Sequence, residues 1–297
     1  MYPPTGYTAS GIPCGTMASA PECVVDISFA NPDITEDSLV ALNAFLDPLF
    51  SRGEPIPEAL LQSPSNIQGL VITEPSLLTI TFIDEGACFR NSVGIILVDT
   101  AEYPDLDAID EASRQQLLRN AQFDVVLPNV DFLFCRCGVD PDADDKFCTF
   151  TTPPIEPGAS VELLPYRAQP SLLTFPAGKT VVFFLIPDGF DRGFRPGGIL
   201  LDTVEQVLFS ADALNDPALS EDTERHAVGF ALPADVGGYD FSNYFYFAFE
   251  DKRRDSGSDN DFEDVGFIIK IAPVATDAPT TSPTTSPTTS PTTSPTT

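Results

Sequence analysis

The sequence predicts an all-β protein, a β-sandwich of jelly-roll-like character with one or two peripheral helices and a disordered C-terminal tail. Three observations carry that expectation. Short apolar segments in the middle of the chain alternate with a period of two, as strands with one buried face do. Only two stretches have helical spacing, and they do not recur in a β-α-β rhythm, which argues against a parallel α/β sheet. From Pro279 the chain repeats Pro-Thr-Thr-Ser four times, with nothing apolar to bury and prolines that block helix and sheet alike.

Residues 1–23 contain Pro3, Pro4, Gly6, Gly11 and Pro13 and read as an irregular segment. Thr35–Phe50 opens on a capping-type residue and acids, then places Leu39, Leu42, Ala44 and Leu46 at near-helical spacing. Leu77–Ile83 sets Leu78, Ile80 and Phe82 against two threonines and predicts a strand, as does Val93–Val98. Asp107–Gln122 carries Ile109, Leu117 and Leu118 among polar residues and predicts a second helix. Phe123–Leu127, Val130–Phe134 and Val204–Phe209 read as strands, and so does the wholly apolar Val181–Ile186, closed by the turn signal Pro187-Asp188-Gly189. Phe245, Phe247 and Phe249 fall on one face of a strand, with Tyr244 and Tyr246 on the other. Val265, Phe267, Ile269 and Ile271 alternate again, so the two strands are expected to pair as an antiparallel hairpin near the centre of a sheet. A single sandwich domain is expected over 24–272, its part 180–272 carrying the acidic-loop module, followed by a Pro/Thr/Ser-rich stalk over 273–297. Dense Ser and Thr beside Pro is the composition of O-glycosylated linkers.

Charge narrows the function classes. The 297 residues hold 15 Lys+Arg against 44 Asp+Glu, a net charge of −29. Such a surface repels phosphate backbones and anionic lipid, so no nucleic acid and no membrane insertion are expected, and cations or basic protein patches are the fitting partners. A 42% apolar content with 23 Phe is ample for a core, so the charge does not mean disorder. The lone histidine, His226, excludes a multi-histidine metal site and reads as a hydrogen-bonded structural residue. The first twenty residues lack the basic and apolar regions of a signal peptide. The even set Cys14, Cys23, Cys88, Cys135, Cys137 and Cys148 instead points to disulfides and an oxidising, extracellular or cell-surface location. Cys14–Cys23 and a bridge from Cys135 or Cys137 to Cys148 are the local pairings among the 15 possible.

The loop Glu250–Asp264 is the most informative stretch. Its 15 residues hold seven acids (Glu250, Asp251, Asp255, Asp259, Asp261, Glu263, Asp264) and three bases (Lys252, Arg253, Arg254). Hairpin loops usually have about 2–5 residues. Two carboxylates about 4 Å apart repel by about 4 kcal/mol at an effective dielectric near 20. Hard oxygen donors in this number suit Ca²⁺, which takes about 6–8 oxygens. The spacing is not that of an EF-hand, because Asp264 stands where that loop needs Gly. Asp140-Pro-Asp142-Ala-Asp144-Asp145 fails the same test and reads as a solvated turn, with a second, weaker cation site as the alternative.

The motif Phe249-Glu250-Asp251, then Ser258-Asp259-Asn260-Asp261-Phe262-Glu263-Asp264-Val265-Gly266-Phe267, resembles the LruC-type extracellular domain that ends in domain-of-unknown-function family four-one-one-four. The resemblance extends upstream through Thr79–Ala87 and Arg90–Gly94, then Phe175-Pro176-Ala177-Gly178, Phe183–Ile186, Phe209-Ser210, Leu214-Asn215 and His226. It implies a secreted or surface-displayed β-rich module of adhesion or matrix proteins that binds calcium in the acidic loop, without a known enzyme activity. On that pattern Asp251, Asp259, Asp261 and Asp264 are the expected carboxylate ligands, with Glu250 and Asn260 as second choices. Glu85 and Asn91 match the family's other polar block and are expected to brace a loop near the site. Glu263 departs from the family, where Asn is usual.

The expected function is therefore a non-catalytic calcium-binding structural or adhesion module, with glycans, matrix or surface proteins and self-assembly as partner classes. A carbohydrate-binding module is the alternative, with Tyr239, Tyr244 and Tyr246 as stacking candidates. A two-carboxylate glycosidase is the remaining one; nothing in the sequence selects a pair.

Overall fold

The computed structural model describes residues 31, 33–51, 53–63, 65–86, 91–121, 123–130, 157–163, 174–187, 207–215, 225–251 and 260–274, with two-residue ladders at 18–19, 24–25, 194–195 and 198–199. The six cysteines, Asp259 and the Pro-Thr-Thr-Ser tract lie outside the described residues.

In chain order the elements are β1 (Ala18–Ser19), β2 (Val24–Val25), α1 (Glu36–Leu46), α2 (Glu58–Leu61), β3 (Leu70–Ile72), β4 (Ser76–Asp84), β5 (Asn91–Asp99), α3 (Glu111–Asn120), β6 (Phe123–Val130) and β7 (Ser160–Leu163). They continue with β8 (Lys179–Ile186), β9 (Phe194–Arg195), β10 (Gly198–Ile199), β11 (Leu208–Phe209), β12 (Ala227–Ala231), β13 (Asp235–Val236), β14 (Tyr239–Asp240), β15 (Tyr244–Phe249) and β16 (Val265–Pro273). Two five-stranded antiparallel sheets form the sandwich. One runs β11-β8-β5-β6, with β3 also on β8; the other runs β12-β15-β16-β4-β7. The all-β expectation is met, and the helices sit on the outside.

The alternation in the sequence becomes three apolar layers. Phe183, Leu185, Val93 and Ile95 of the first sheet meet Phe82, Phe247, Phe249 and Phe267 of the second in the central core. Leu117 and Leu118 of α3 cover Val182, Phe184 and Ile186 on the outer face of the first sheet. Leu42 and Leu46 of α1 and Leu61 of α2 cover Tyr244, Tyr246 and Ile268 on the outer face of the second. The unbroken apolar run Val181–Ile186 follows from this: β8 is buried on both faces, so alternation has nothing to distinguish.

The expected aromatic hairpin forms as β15 and β16, with Phe249 opposite Val265 and Phe245 opposite Ile269. β16 lies between β15 and β4. Two expected strands change. Phe123–Leu127 does not stop at Pro128 but runs to Val130, because a register shift opposite Asn91 and Val93 accommodates a proline that cannot donate to the ladder. Residues 131–134, expected to continue a separate strand, lie outside the described residues. Of Val204–Phe209, only Leu208–Phe209 pairs with β8, and 204–206 lie outside the described residues.

Both expected helices are capped as their sequences suggest. The Thr35 hydroxyl accepts from the Ser38 N–H at 3.2 Å and the Ser38 hydroxyl accepts from the Thr35 N–H at 2.8 Å, a reciprocal box. The Asp110 carboxylate caps α3 by accepting from the Ser113 N–H at 2.7 Å. Thr35→Ala is expected to lower unfolding free energy by about 1 kcal/mol in urea titration. Among the described residues no helix is long and apolar enough to cross a membrane.

Candidate cation site

The end of the β15–β16 hairpin converges on one point. Glu250 and Asp251 follow the last residue of β15, and Asp264 precedes the first residue of β16, directly across the pair Phe249↔Val265. One carboxylate oxygen from each of Glu250, Asp251 and Asp264 lies within 4.8 Å of the other two. All three side chains are buried, at 0%, 1% and 8% exposure.

The surrounding bonds fix these groups from distant parts of the chain. The Asp251 N–H donates to Asp264 Oδ2 at 2.7 Å, which closes the mouth of the loop. Asn91, the first residue of β5 in the opposite sheet, donates its side-chain N–H to Asp251 Oδ2 at 2.9 Å. The Glu250 N–H donates to the His226 carbonyl at 3.0 Å, which extends the β12–β15 ladder by one rung. Glu85 is buried at the end of β4. The cluster therefore lies where the ends of both sheets meet.

Asp261 is placed differently from the three. Its Oδ2 accepts from the Gly53 N–H at 2.5 Å and its Oδ1 accepts from the Glu263 N–H at 3.2 Å. The Asn260 carbonyl accepts from the Ile56 N–H at 3.0 Å, so residues 260 and 261 together pin the segment between α1 and α2. Asp261→Ala is expected to lower the melting temperature by the same amount with calcium and with chelator, a loss of about 1.5–3 kcal/mol for a charged acceptor. A loss seen only in calcium would make it a ligand instead.

The backbone that aims these side chains is unusual. Asn260 and Phe262 have φ of 60° and 57°, on either side of Asp261. Asn tolerates this left-handed region, whereas a bulky Phe there costs of order 1–3 kcal/mol. Phe262 is wholly buried beneath α1, and that packing holds the conformation. Gly86 accommodates the same loop: its N–H donates to the Glu263 carbonyl at 3.0 Å, and a Cβ there would come 2.4 Å from the Glu263 carboxyl carbon.

At about 4.8 Å, two ionised carboxylates repel by about 3 kcal/mol at an effective dielectric near 20. Three together call for positive charge, from a bound cation or from a basic side chain. Lys252, Arg253 and Arg254 belong to residues 252–259, outside the described residues. Clustered carboxylate oxygens are the hard donors that Ca²⁺ and Mg²⁺ take. An all-oxygen donor set disfavours the softer transition metals.

Residues 175–272 match the family described as Domain of unknown function (DUF4114). That segment is similar to the DUF4114 family. No curated protein and no solved structure matches the chain. The DUF4114 segment supplies Glu250, Asp251 and Asp264, together with β8, β11, β12, β15 and β16. Asn91, Glu85, Gly53 and Gly86 come from residues before it, so the surroundings of the site extend beyond the matched segment.

Of the residues expected from sequence, Asp251, Asp264 and Glu250 come together, Asn91 touches them, and Asp261 and Asn260 face the α1–α2 connection. Gly53 and Gly86 were not anticipated; the turn signals Arg52-Gly53 and Asp84-Glu85-Gly86 are their only trace in the sequence. Tyr244 and Tyr246 are 3% and 4% exposed beneath α1, which leaves no stacking face on either for a sugar.

Proposed function

We propose that the chain is a calcium-binding structural module, secreted or surface-displayed, carried on the Pro-Thr-Thr-Ser stalk and serving adhesion, wall or matrix assembly. The observation that carries calcium binding is the convergence of three buried carboxylates at the joined ends of both sheets. An ion at Glu250, Asp251 and Asp264 would neutralise them and tie the β15–β16 loop to β5 through Asn91. The module acts by being stiff, not by catalysis. The extracellular setting rests on the tail composition and on the even cysteine count.

Isothermal titration of the chelator-treated full chain with Ca²⁺ tests the reading. Saturable binding of about one equivalent is expected, with Mg²⁺ much weaker. Absence of heat at millimolar Ca²⁺ would mean that a basic side chain already neutralises the cluster.

A further inference from the structure

We infer that Asn91 is the residue that positions Asp251 for a cation and so sets which ion the cluster prefers. The inference rests on the cation reading of Glu250, Asp251 and Asp264 and deepens it. Asn91 opens β5, in the sheet opposite the hairpin, and is wholly buried.

Strand periodicity brings the pair together. Val93 and Ile95 face the central core, so counting back by two puts Asn91 on the same inner face. The register shifts at this point lie in β6, where Val130 and Leu127 oppose Asn91 and Val93, so β5 keeps its alternation. Phe247 and Phe249 face the core from the second sheet, and the same count forward reaches Asp251. The apolar contacts between the sheets therefore end in one polar contact, Asn91 Nδ2 to Asp251 Oδ2 at 2.9 Å.

Chemistry fixes the sense of that bond. An ionised carboxylate only accepts, so the Asn91 amide presents its nitrogen and not its oxygen. Aspartate in the same place would set a fourth negative charge against Asp251, and an apolar residue would take the donor away.

The bond also limits how Asp251 meets an ion. Its Oδ2 is engaged by Asn91, as Asp264 Oδ2 is engaged by the Asp251 N–H at 2.7 Å. Each aspartate then offers its other oxygen, one ligand atom apiece. Single oxygens in fixed directions are what a small octahedral ion requires, whereas Ca²⁺ accepts one or two oxygens per carboxylate in a flexible shell. Released from Asn91, Asp251 can turn both oxygens to the ion, which Ca²⁺ tolerates and a smaller ion does not. Groups that hydrogen-bond to metal ligands tune affinity in this way without touching the metal.

The test uses the chelator-treated full chain with two probes, Ca²⁺ read by calorimetry and the smaller Mn²⁺ read by water-proton relaxation. Asn91→Ala is expected to raise Kd about tenfold for Ca²⁺ and about thirtyfold or more for Mn²⁺, which widens the preference for Ca²⁺. Asn91→Asp keeps the shape of the side chain. It is expected to melt below the parent in chelator and to gain more than the parent from calcium, because the fourth carboxylate joins the ligands. An unchanged ratio of the two Kd values in Asn91→Ala overturns the positioning role. So does an Asn91→Asp variant that loses the same stability in calcium and in chelator, which would make the contact an ordinary buried hydrogen bond. A parent chain that binds neither ion overturns the cation reading itself, and the role of Asn91 with it.

Discussion

Glu250→Gln is expected to abolish most of the calcium-dependent rise in melting temperature and to leave the chelated protein as stable as the parent, or more so. The parent gains RT ln(1 + [L]/Kd) from the ion, about 2.7 kcal/mol at a hundredfold excess over Kd. In a protein of this size that is a shift of about 5–10 °C. Glutamine keeps the shape of the wholly buried Glu250 and one oxygen, but removes a negative charge from the ligand set. Without the ion, the same change relieves repulsion against Asp251 and Asp264, worth about 3 kcal/mol per ionised pair before screening by neighbours. Opposite signs in the two conditions distinguish a cation site from ordinary core damage, which destabilises in both. Glu74→Gln, at an exposed position, is the control and is expected to change neither. A full calcium shift retained by Glu250→Gln would place the ion elsewhere.

Phe267→Ala is expected to cost about 3–5 kcal/mol, the range for deleting a buried aromatic ring. Phe267 is wholly buried and packs on three other rings: Phe183 at 5.2 Å edge-on, and Phe247 and Phe249 stacked at 5.8 and 6.1 Å. Phe183 belongs to the opposite sheet, so the lost ring is one that locks the two sheets together. The melting temperature is expected to fall by about 10 °C or more, measured by circular dichroism. Phe267→Leu, which fills more of the space, is expected to cost less. A loss below about 1 kcal/mol for the alanine variant would mean that the sheets are held chiefly by the helices outside them.

The sandwich was legible where one face of a strand meets the core and the other meets something different. Leu78, Ile80 and Phe82, and the Phe and Tyr faces of β15, alternate for that reason. β3 and β7 were not legible, because three or four residues are too few for a pattern and their partners, Val181 and Leu78, lie far along the chain. In the acidic loop the composition was visible but the direction of each side chain was not. Glu250, ranked behind four aspartates, is the most buried member of the cluster, while Asp261, ranked among the first, holds the Gly53 N–H. The left-handed turns at Asn260 and Phe262 decide this, and a phenylalanine gives no warning that its backbone will adopt that conformation.

β16, the last strand among the described residues, occupies the middle of its sheet, with β15 on one side and β4 on the other. During synthesis, β4 must therefore wait with an open edge until nearly two hundred further residues have left the ribosome, since Leu78 pairs with Ile271. Until then the open edge of β4 is available to any other chain nearby.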